Sequence, residues 1–318
     1  MPAGSSLTQS LDPDRDYLPI FRHTFDVDFG WEVRRALELA IFHTFAAPSI
    51  SATLDRTGEF AHRAQKRYDD TVALLREIAR DGPASPRGRT AIRRMNWIHG
   101  AYDISNEDLV YVLATFVVIP VRWISEYGWR DLTEQEIRAA VSYYRDVGRL
   151  MGIRQIPLTY RGFAGYLDAY ERDHHTFSEA NRRLAVSLIE VFAARFPRPV
   201  RRLTRGCVAA ALGQPLRRVL GLPEPSGSVR AGVHLALRSR GTLIRLFPWL
   251  RLSRKGARRL RSYPHGYAPS DLGPGWAAGE GRGRRHAAAR RPRPSALLNG
   301  RVSAVDMTPF LHGSSRRP

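Results

Sequence analysis

The sequence predicts an all-α fold. Apolar residues recur every three or four positions along most of the chain, as in Val33, Leu37, Ile41 and Phe45, which places them on one face of a helix. Signals for strands are nearly absent, because no Asn-Gly turn joins two alternating segments and no fixed-period repeat occurs. The chain has 318 residues, of which 43% are hydrophobic, so it can form a sizeable core and is not disordered throughout.

The apolar periodicity predicts nine helices, and several of them have clear start or stop signals. The second ends at the breaker Asp81-Gly82-Pro83, and the fourth begins with Ser105 as N-cap. The fifth begins with a capping box of Thr133 and Glu136 and ends at Gly152. The predicted helices cover residues 31–45, 61–80, 90–102, 107–127, 133–151, 160–172, 179–194, 199–211 and 228–240.

The two ends of the chain differ from the helical body. Residues 1–30 are polar, and we expect them to wrap the domain loosely as an N-terminal extension. Residues 276–318 are dominated by Arg, Gly, Ala and Pro, so we expect a disordered basic tail after a single helical domain spanning 31–275. The longest apolar stretch, 109–121, contains Pro120 and is too short to cross a bilayer. With no secretory signal in the sequence, we expect a cytoplasmic protein.

The net charge of +20 is concentrated in the tail. Residues 251–318 carry 15 basic and 3 acidic residues, whereas the first 250 carry 35 and 27. Nearly all basic residues are arginines, since Lys66 and Lys255 are the only lysines. Such a tail could associate weakly with a membrane surface, but we expect no specific binding of nucleic acid, because the body has no helix-turn-helix signal.

The sequence lacks the motifs of several common catalytic sites. No Gly-rich phosphate loop precedes a helix, and neither a Gly-x-Ser-x-Gly elbow nor a His-Glu-x-x-His zinc helix is found. The single cysteine, Cys207, excludes a disulfide framework and a cysteine-rich metal site.

Histidines and one charged helix are the remaining candidates for chemistry. His99 ends an arginine-rich helix, where the carbonyl of Met95 or the Asp103 side chain could hold Nδ1–H and leave Nε2 free for a metal. The alternative is a partly buried histidine that only caps its helix. His174 and His175 are expected to be solvent-facing loop residues.

On the preceding helix, Arg67 and Thr71 lie four residues apart and share a face. The alternative for this region is a solvated charge cluster formed with Lys66, Asp69 and Asp70.

Several motifs together resemble one known family. They are Lys66-Arg67-Tyr68-Asp69-Asp70-Thr71, Arg94-Met95-Asn96-Trp97-Ile98-His99, Pro120-Val121-Arg122-Trp123, Tyr127-Gly128-Trp129-Arg130 and Met151-Gly152-Ile153. In this order and spacing they are similar to the catalytic domain of MpaB-type oxygenases and rubber oxygenases (latex clearing proteins), over residues 56–275. The resemblance implies a globin-like helical domain that binds haem b and uses dioxygen to cleave C=C bonds in an apolar isoprenoid or lipid-like substrate.

The resemblance also implies roles for individual residues. His99 would be the ligand of the haem iron, and Arg67 and Thr71 would be the catalytic polar groups beside it. Arg94, together with Arg93, would pair with the propionates, with surface exposure as the alternative. Trp97 would form a wall of the haem site, as would Tyr102, Phe116, Val117, Trp123 and Tyr144, with ordinary core packing as the alternative for each.

Two positions depart from the family pattern. Asp70 stands where the rubber enzymes have a lysine that can ligate iron, so this ligation should not occur. Val112-Leu113-Ala114 stands where many relatives carry a further histidine. The alternative to an oxygenase is a haem-free helical protein that retains the fold and binds a hydrophobic ligand. The sequence does not determine the oligomeric state.

Overall fold

The computed structural model describes residues 10–250 and 260–277, and within these ranges the chain forms helices and no strand. The predicted all-α class is therefore confirmed. The α-helices are α1 (Tyr17–Arg22), α2 (Gly30–Phe45), α3 (Pro48–Arg56), α4 (Glu59–Asp81), α5 (Pro86–His99), α6 (Asn106–Tyr127), α7 (Glu134–Leu150), α8 (Tyr160–His174), α9 (Glu179–Ala193), α10 (Arg198–Ala211), α11 (Gln214–Val219) and α12 (Gly227–Leu246). A π-helix covers His23–Asp28, and 3₁₀ turns cover Pro248–Leu250 and Pro269–Asp271.

The capping signals act as the sequence predicts. Ser105 Oγ accepts a hydrogen bond from the Asp108 backbone N–H at the start of α6. Thr133 and Glu136 form a full capping box at the start of α7. Gly152 follows α7 with a φ of +76°, a conformation that favours glycine.

Three helices are absent from the prediction because they are short or begin outside the periodic pattern. α3 and α11 have nine and six residues, too few to show a repeating apolar face. α1 and the π-helix lie in the segment expected to wrap loosely. In the structure Phe21, Phe25 and Phe29 are buried in the main core, so the described part of this segment, residues 10–30, is an integral part of the domain.

The helices pack in two groups that face each other. α2 packs on α6, and α6 also contacts α7 and α8. α4 packs on α5 and α9. The space between α2 and α4 is left as a cavity.

α6 is the most apolar helix of the described part of the chain. Its 22 residues are long and apolar enough, by length and composition alone, to cross a membrane. The apolar stretch 109–121 noted in the sequence is only the central part of this helix. Of its most apolar 18-residue window, 72% is buried inside the protein, as in the core helix of a globular domain. α2 and α3 also pass this test as a pair, but they are bent by 94° at their junction.

A C-terminal segment, residues 260–277, returns to α4 and binds four of its carboxylates. Glu59, Asp69, Asp70 and Glu77 are each between 2% and 7% exposed. Their partners in the segment are the backbone N–H groups of Gly275 and Ser262 and the hydroxyls of Tyr263 and Tyr267. Lys66 adds an ion pair to Asp70 and donates to the Gly273 carbonyl at 2.9 Å. The alternative of a solvated charge cluster at residues 66–70 is therefore wrong, because these carboxylates are buried and bonded.

The end of the C-terminal segment packs against α5. Ala277 is fully buried, and the Trp276 indole N–H donates to the Tyr102 hydroxyl at 3.1 Å. These two residues begin the range predicted as a disordered tail, but they belong to the folded domain. The rest of that range, 278–318, lies outside the described residues.

A second polar group lies around Tyr111 of α6. The Tyr111 hydroxyl is 2.8 Å from His175 Nε2, and His43 Nδ1 is 2.6 Å from Glu171 Oε1. Burial lowers the pKa of His175 to about 4, although Glu171 opposes the shift. The prediction that His175 is a solvent-facing loop residue is wrong, whereas His174 is exposed beside Glu107.

We predict that Asp70→Ala lowers the free energy of unfolding by about 2–3 kcal/mol, because it leaves Lys66 and the Tyr263 hydroxyl without their shared acceptor. Urea denaturation measures this change. Asp168→Ala is the control, since it breaks only an exposed ion pair to Arg122 and should cost less than about 1 kcal/mol. Equal effects of the two substitutions would contradict a structural role for Asp70.

We also predict that His175 makes the fold sensitive to acid. Its pKa is lower in the folded than in the unfolded state, so the unfolded state binds more protons between pH 6.5 and about 4, and stability falls as the pH falls through this range. His175→Gln should remove about 1 kcal/mol of the loss between pH 7 and pH 5, after allowance for partial exposure. Urea midpoints at the two pH values test this, with the exposed neighbour substitution His174→Gln expected to behave as the unaltered protein.

Candidate active site

The cavity between α2 and α4 has a volume of about 730 Å³. This size lies within the range of pockets that enclose organic ligands or cofactors, about 300–1,000 Å³. α5 closes the α4 side, and α6 and α7 complete the α2 side. Most of the wall is apolar and includes Leu37, Ile41, Leu74, Val112, Phe116 and Tyr144.

His99 reaches this cavity from the end of α5. The helix ends there, with Gly100 as its C-cap, so the predicted extension of this helix to Tyr102 is wrong. His99 Nδ1 is buried and has no hydrogen-bond partner among the described residues. Neither the Met95 carbonyl nor the Asp103 side chain holds it, contrary to the expectation from the sequence.

The electrostatic environment keeps the His99 imidazole neutral. Burial, followed by the positive charge of Arg67, lowers the pKa of His99 to about 4. A neutral imidazole offers a nitrogen lone pair at ordinary pH, which is the form that binds a metal. The His99 ring thus combines a position at the end of α5 with a place in the lining of a cavity of ligand size.

Arg67 and Thr71 line the same cavity from α4. They lie one turn apart, and Arg67 Nη1 donates a hydrogen bond to Thr71 Oγ1. The Arg67 guanidinium also lies 5.7 Å from the centre of the Phe60 ring. Burial lowers the pKa of Arg67, and the charges of Asp70 and Glu59 oppose this shift. No carboxylate in the described ranges lies within ion-pair distance of it, so the cavity contains a cation that could bind an anionic group.

Arg94 and Trp97 lie outside the cavity lining, on the side of α5 that faces the C-terminal segment. Arg94 donates to the carbonyls of Ser270, Leu272 and Ala277 at 2.5 to 3.0 Å. Trp97 packs on Trp276, with ring centres 5.1 Å apart. The expectation that these two residues contact a cofactor is corrected, because helical spacing turns them away from the face that carries His99.

The other predicted wall residues divide in the same way. Tyr102, Phe116 and Tyr144 line the cavity, whereas Val117 and Trp123 are buried in the core away from it. The two positions that depart from the family pattern also border the cavity. Asp70 forms an ion pair with Lys66 at 2.8 Å. Val112 and Leu113 add apolar surface to the cavity where many relatives carry a further histidine.

One polar cluster of the cavity wall is not identified by the sequence. Glu38 Oε1 accepts hydrogen bonds from Arg35 at 2.8 Å, from the Tyr68 hydroxyl at 2.8 Å and from Arg195 at 3.2 Å. Glu38 is buried, although the sequence places it beside the apolar stripe of its helix. Its burial depends on Tyr68 and Arg195 as well as on the neighbouring Arg35, and no local pattern signals the two distant contacts.

The described ranges contain no group of three or more His, Cys, Asp or Glu side chains that could hold a metal ion. A haem iron requires one or two axial ligands from the protein, because the porphyrin supplies the others. His99, with its neutral ring and its position on an apolar cavity, fits that requirement.

Part of this chain is similar to three fungal oxygenases. The ER-bound oxygenase mpaB of Penicillium roqueforti (strain FM164) is 33% identical over 146 residues, which cover 44% of this chain and 49% of that protein. The ER-bound oxygenases mpaB and mpaB′ of Penicillium brevicompactum are each 32% identical over 146 residues, covering 44% of this chain and 37% and 34% of those proteins. The chain thus matches half or less of the length of these relatives.

A family model described as "ER-bound oxygenase mpaB/B'/Rubber oxygenase, catalytic domain" matches residues 35–246. The matched range runs from α2 to the end of α12 and includes His99, Arg67 and Thr71. Because the match covers well over half of the chain, the protein belongs to the family of mpaB-type and rubber oxygenase catalytic domains.

Proposed function

We propose that the protein is a haem b-dependent oxygenase that uses dioxygen to act on an apolar isoprenoid or lipid-like substrate. The observation that carries this proposal is the neutral His99 imidazole, which has an unpartnered buried nitrogen and lies beside the cation Arg67 on a large apolar cavity. The names of the family and of the three relatives support oxygenase activity.

The residues of the cavity fit haem b. His99 would be the axial ligand, and the aromatic side chains of Phe116 and Tyr144 would pack against the apolar macrocycle. When bound, the haem supplies an iron that activates dioxygen. Asp70 cannot replace the lysine of the rubber enzymes as an iron ligand, because its carboxylate is already bonded to Lys66 and Tyr263.

Arg67 and Thr71 would control the charge at the reacting end of the cavity. Thr71 fixes one nitrogen of the Arg67 guanidinium, which leaves the other donors free to face a bound group. A cation held in a site of low polarity stabilises negative charge more strongly than it would in water. Arg67 therefore suits either an anionic edge of the cofactor or charge that develops during the reaction.

The apolar wall would select the substrate and exclude water. Leu37, Ile41 and Leu74 provide no hydrogen bond to a substrate, so recognition would depend on shape and apolar surface. In oxidative C=C cleavage each carbon of the double bond receives one oxygen atom of dioxygen, giving two carbonyl groups without a further reductant. The names of the relatives place those proteins at the ER, whereas a cytoplasmic location stays a prediction for this chain.

We predict that the purified protein has a haem Soret band and that His99→Ala removes most of the bound haem, because the substitution deletes the axial ligand. Haem content per chain, measured by absorbance after pyridine extraction, gives the result, and circular dichroism checks the helical fold. His62→Ala is the matched control, since His62 is an exposed histidine of α4 outside the cavity and should retain full haem content.

A protein from haem-replete cells that contains neither haem nor iron would contradict the oxygenase proposal. If such a protein still binds a hydrophobic fluorescent probe in its cavity, the haem-free binding protein becomes the better description.

We also predict that Thr71→Val lowers oxygen consumption with an isoprenoid such as squalene or farnesol by about 10²-fold at unchanged haem content, because the Arg67 guanidinium loses its fixed orientation. Thr71→Ser keeps the hydroxyl and should retain most of the activity. Similar activities for the valine and serine variants would exclude a role of this hydrogen bond in turnover.

A further inference from the structure

From Leu235 onward, α12 and the turn after it expose large apolar side chains. Leu235, Leu243, Leu246, Phe247 and Trp249 are between 39% and 74% exposed, and we call these five residues the α12 apolar patch. Trp249 is the most exposed at 74%, and its ring contacts that of Phe247 with centres 5.1 Å apart. Exposed tryptophan and leucine side chains that cluster in one short segment indicate an interaction surface, whereas single exposed apolar residues scattered over a protein do not.

The opposite face of α12 is firmly packed, so the exposure of the patch is a fixed property of the fold. His234 Nδ1 lies 2.7 Å from the Tyr127 hydroxyl, and Ile244 is buried. Gly241 lies so close to the backbone of residues 127 and 128 that an added Cβ would approach the Tyr127 carbonyl to 2.7 Å. α12 therefore cannot rotate to bury the patch without losing its contact with α6.

The charge of the described domain is concentrated in the same region. Residues 1–197 carry 25 basic and 26 acidic residues, whereas residues 198–250 carry ten arginines and one acidic residue, Glu224. Between Pro225 and Ser270 the sequence has ten basic residues and no acidic one. Arg238 and Arg245 are exposed on α12 among the residues of the patch, and Arg238 also lies 3.6 Å from the exposed carboxylate of Glu126.

We propose that the α12 apolar patch docks the protein onto the surface of an anionic membrane. Leucine, phenylalanine and tryptophan would insert at the level of the lipid headgroups, and the surrounding arginines would bind the phosphates. Tryptophan suits this position because its ring is apolar while its N–H can reach water. The proposal concerns a surface outside the cavity and does not depend on the oxygenase activity.

The charges on the chain argue against the other partners for this patch. Residues 278–318 carry nine basic and two acidic residues, so this segment would be repelled from an arginine-rich surface. A second copy of the chain would present the same positive charge. A nucleic acid would satisfy the arginines but would leave the leucines and phenylalanine exposed to water.

Docking at this patch would place one end of the cavity near the membrane. Arg240 of α12 binds Glu32 in the first turn of α2 and lies 3.7 Å from the centre of the Trp31 ring. Gly30, Val33 and Arg34 of the same part of α2 line the cavity. The membrane-facing helix is thus held directly against an element of the cavity wall.

Flotation of the full chain with vesicles tests the proposal. We expect binding to vesicles of phosphatidylcholine with phosphatidylglycerol, weak binding to phosphatidylcholine alone, and a decrease with salt. The combined substitution of Leu243, Leu246, Phe247 and Trp249 by serine should reduce partitioning at least about 10-fold. Arg238→Gln with Arg245→Gln should reduce it by up to about 25-fold, about five-fold for each arginine.

Two control variants separate the patch from other surfaces. Leu158→Ser changes an exposed leucine outside the patch and should bind vesicles as the unaltered chain does. Replacement of Arg284, Arg285, Arg290 and Arg291 by glutamine should have a smaller effect than the patch variant. Loss of binding in this arginine variant of the tail, but not in the patch variant, would overturn the proposal, because the tail would then be the segment that binds the membrane. Unchanged binding of the patch variant, binding to DNA but not to vesicles, or self-association that depends on the patch would overturn it as well.

Discussion

A cavity of about 730 Å³ between α2 and α4 is the constraint on which the rest of this fold depends. Side chains that line a void lose contacts that a packed core would provide, so two helices on either side of a void tend to collapse together. Polar contacts fix the positions of α2 and α4 at the edges of the cavity instead. On one edge the C-terminal segment binds four buried carboxylates of α4, and on another Glu38 of α2 joins Tyr68 of α4 and Arg195 after α9.

The two main polar groups of the cavity depend on each other electrostatically. Arg67 contributes to the low pKa of His99, so the cation helps to keep the imidazole in the form that can bind a metal. His99 in turn adds no positive charge beside Arg67, which is already disfavoured by burial. A change at either residue is therefore expected to alter the charge state or the orientation of the other.

The sequence predicts the parts of the structure that local rules determine. Helix periodicity and capping residues such as Ser105 and Thr133 identify the long helices, and the motifs around Arg67 and His99 lead to two walls of the cavity. Contacts between distant segments are not visible in this way. The burial of Asp70 depends on Tyr263, which lies 193 residues later, and no pattern near either residue signals the pair. Arg94 and Trp97 share a motif with His99, but only the direction of their side chains shows that they bind the C-terminal segment.

The return of the C-terminal segment to α4 sets the order in which the protein can be completed during synthesis. The bond from the Gly275 backbone N–H to Glu59 joins residues 216 positions apart. Contacts of such long range form late, because the intervening chain must first be ordered or enclosed as a loop. While the ribosome is still producing residues before 260, α4 has exposed carboxylates and a cavity without its last edge. The growing chain therefore contains the helices that line the cavity well before residues 260–277 can complete its last edge.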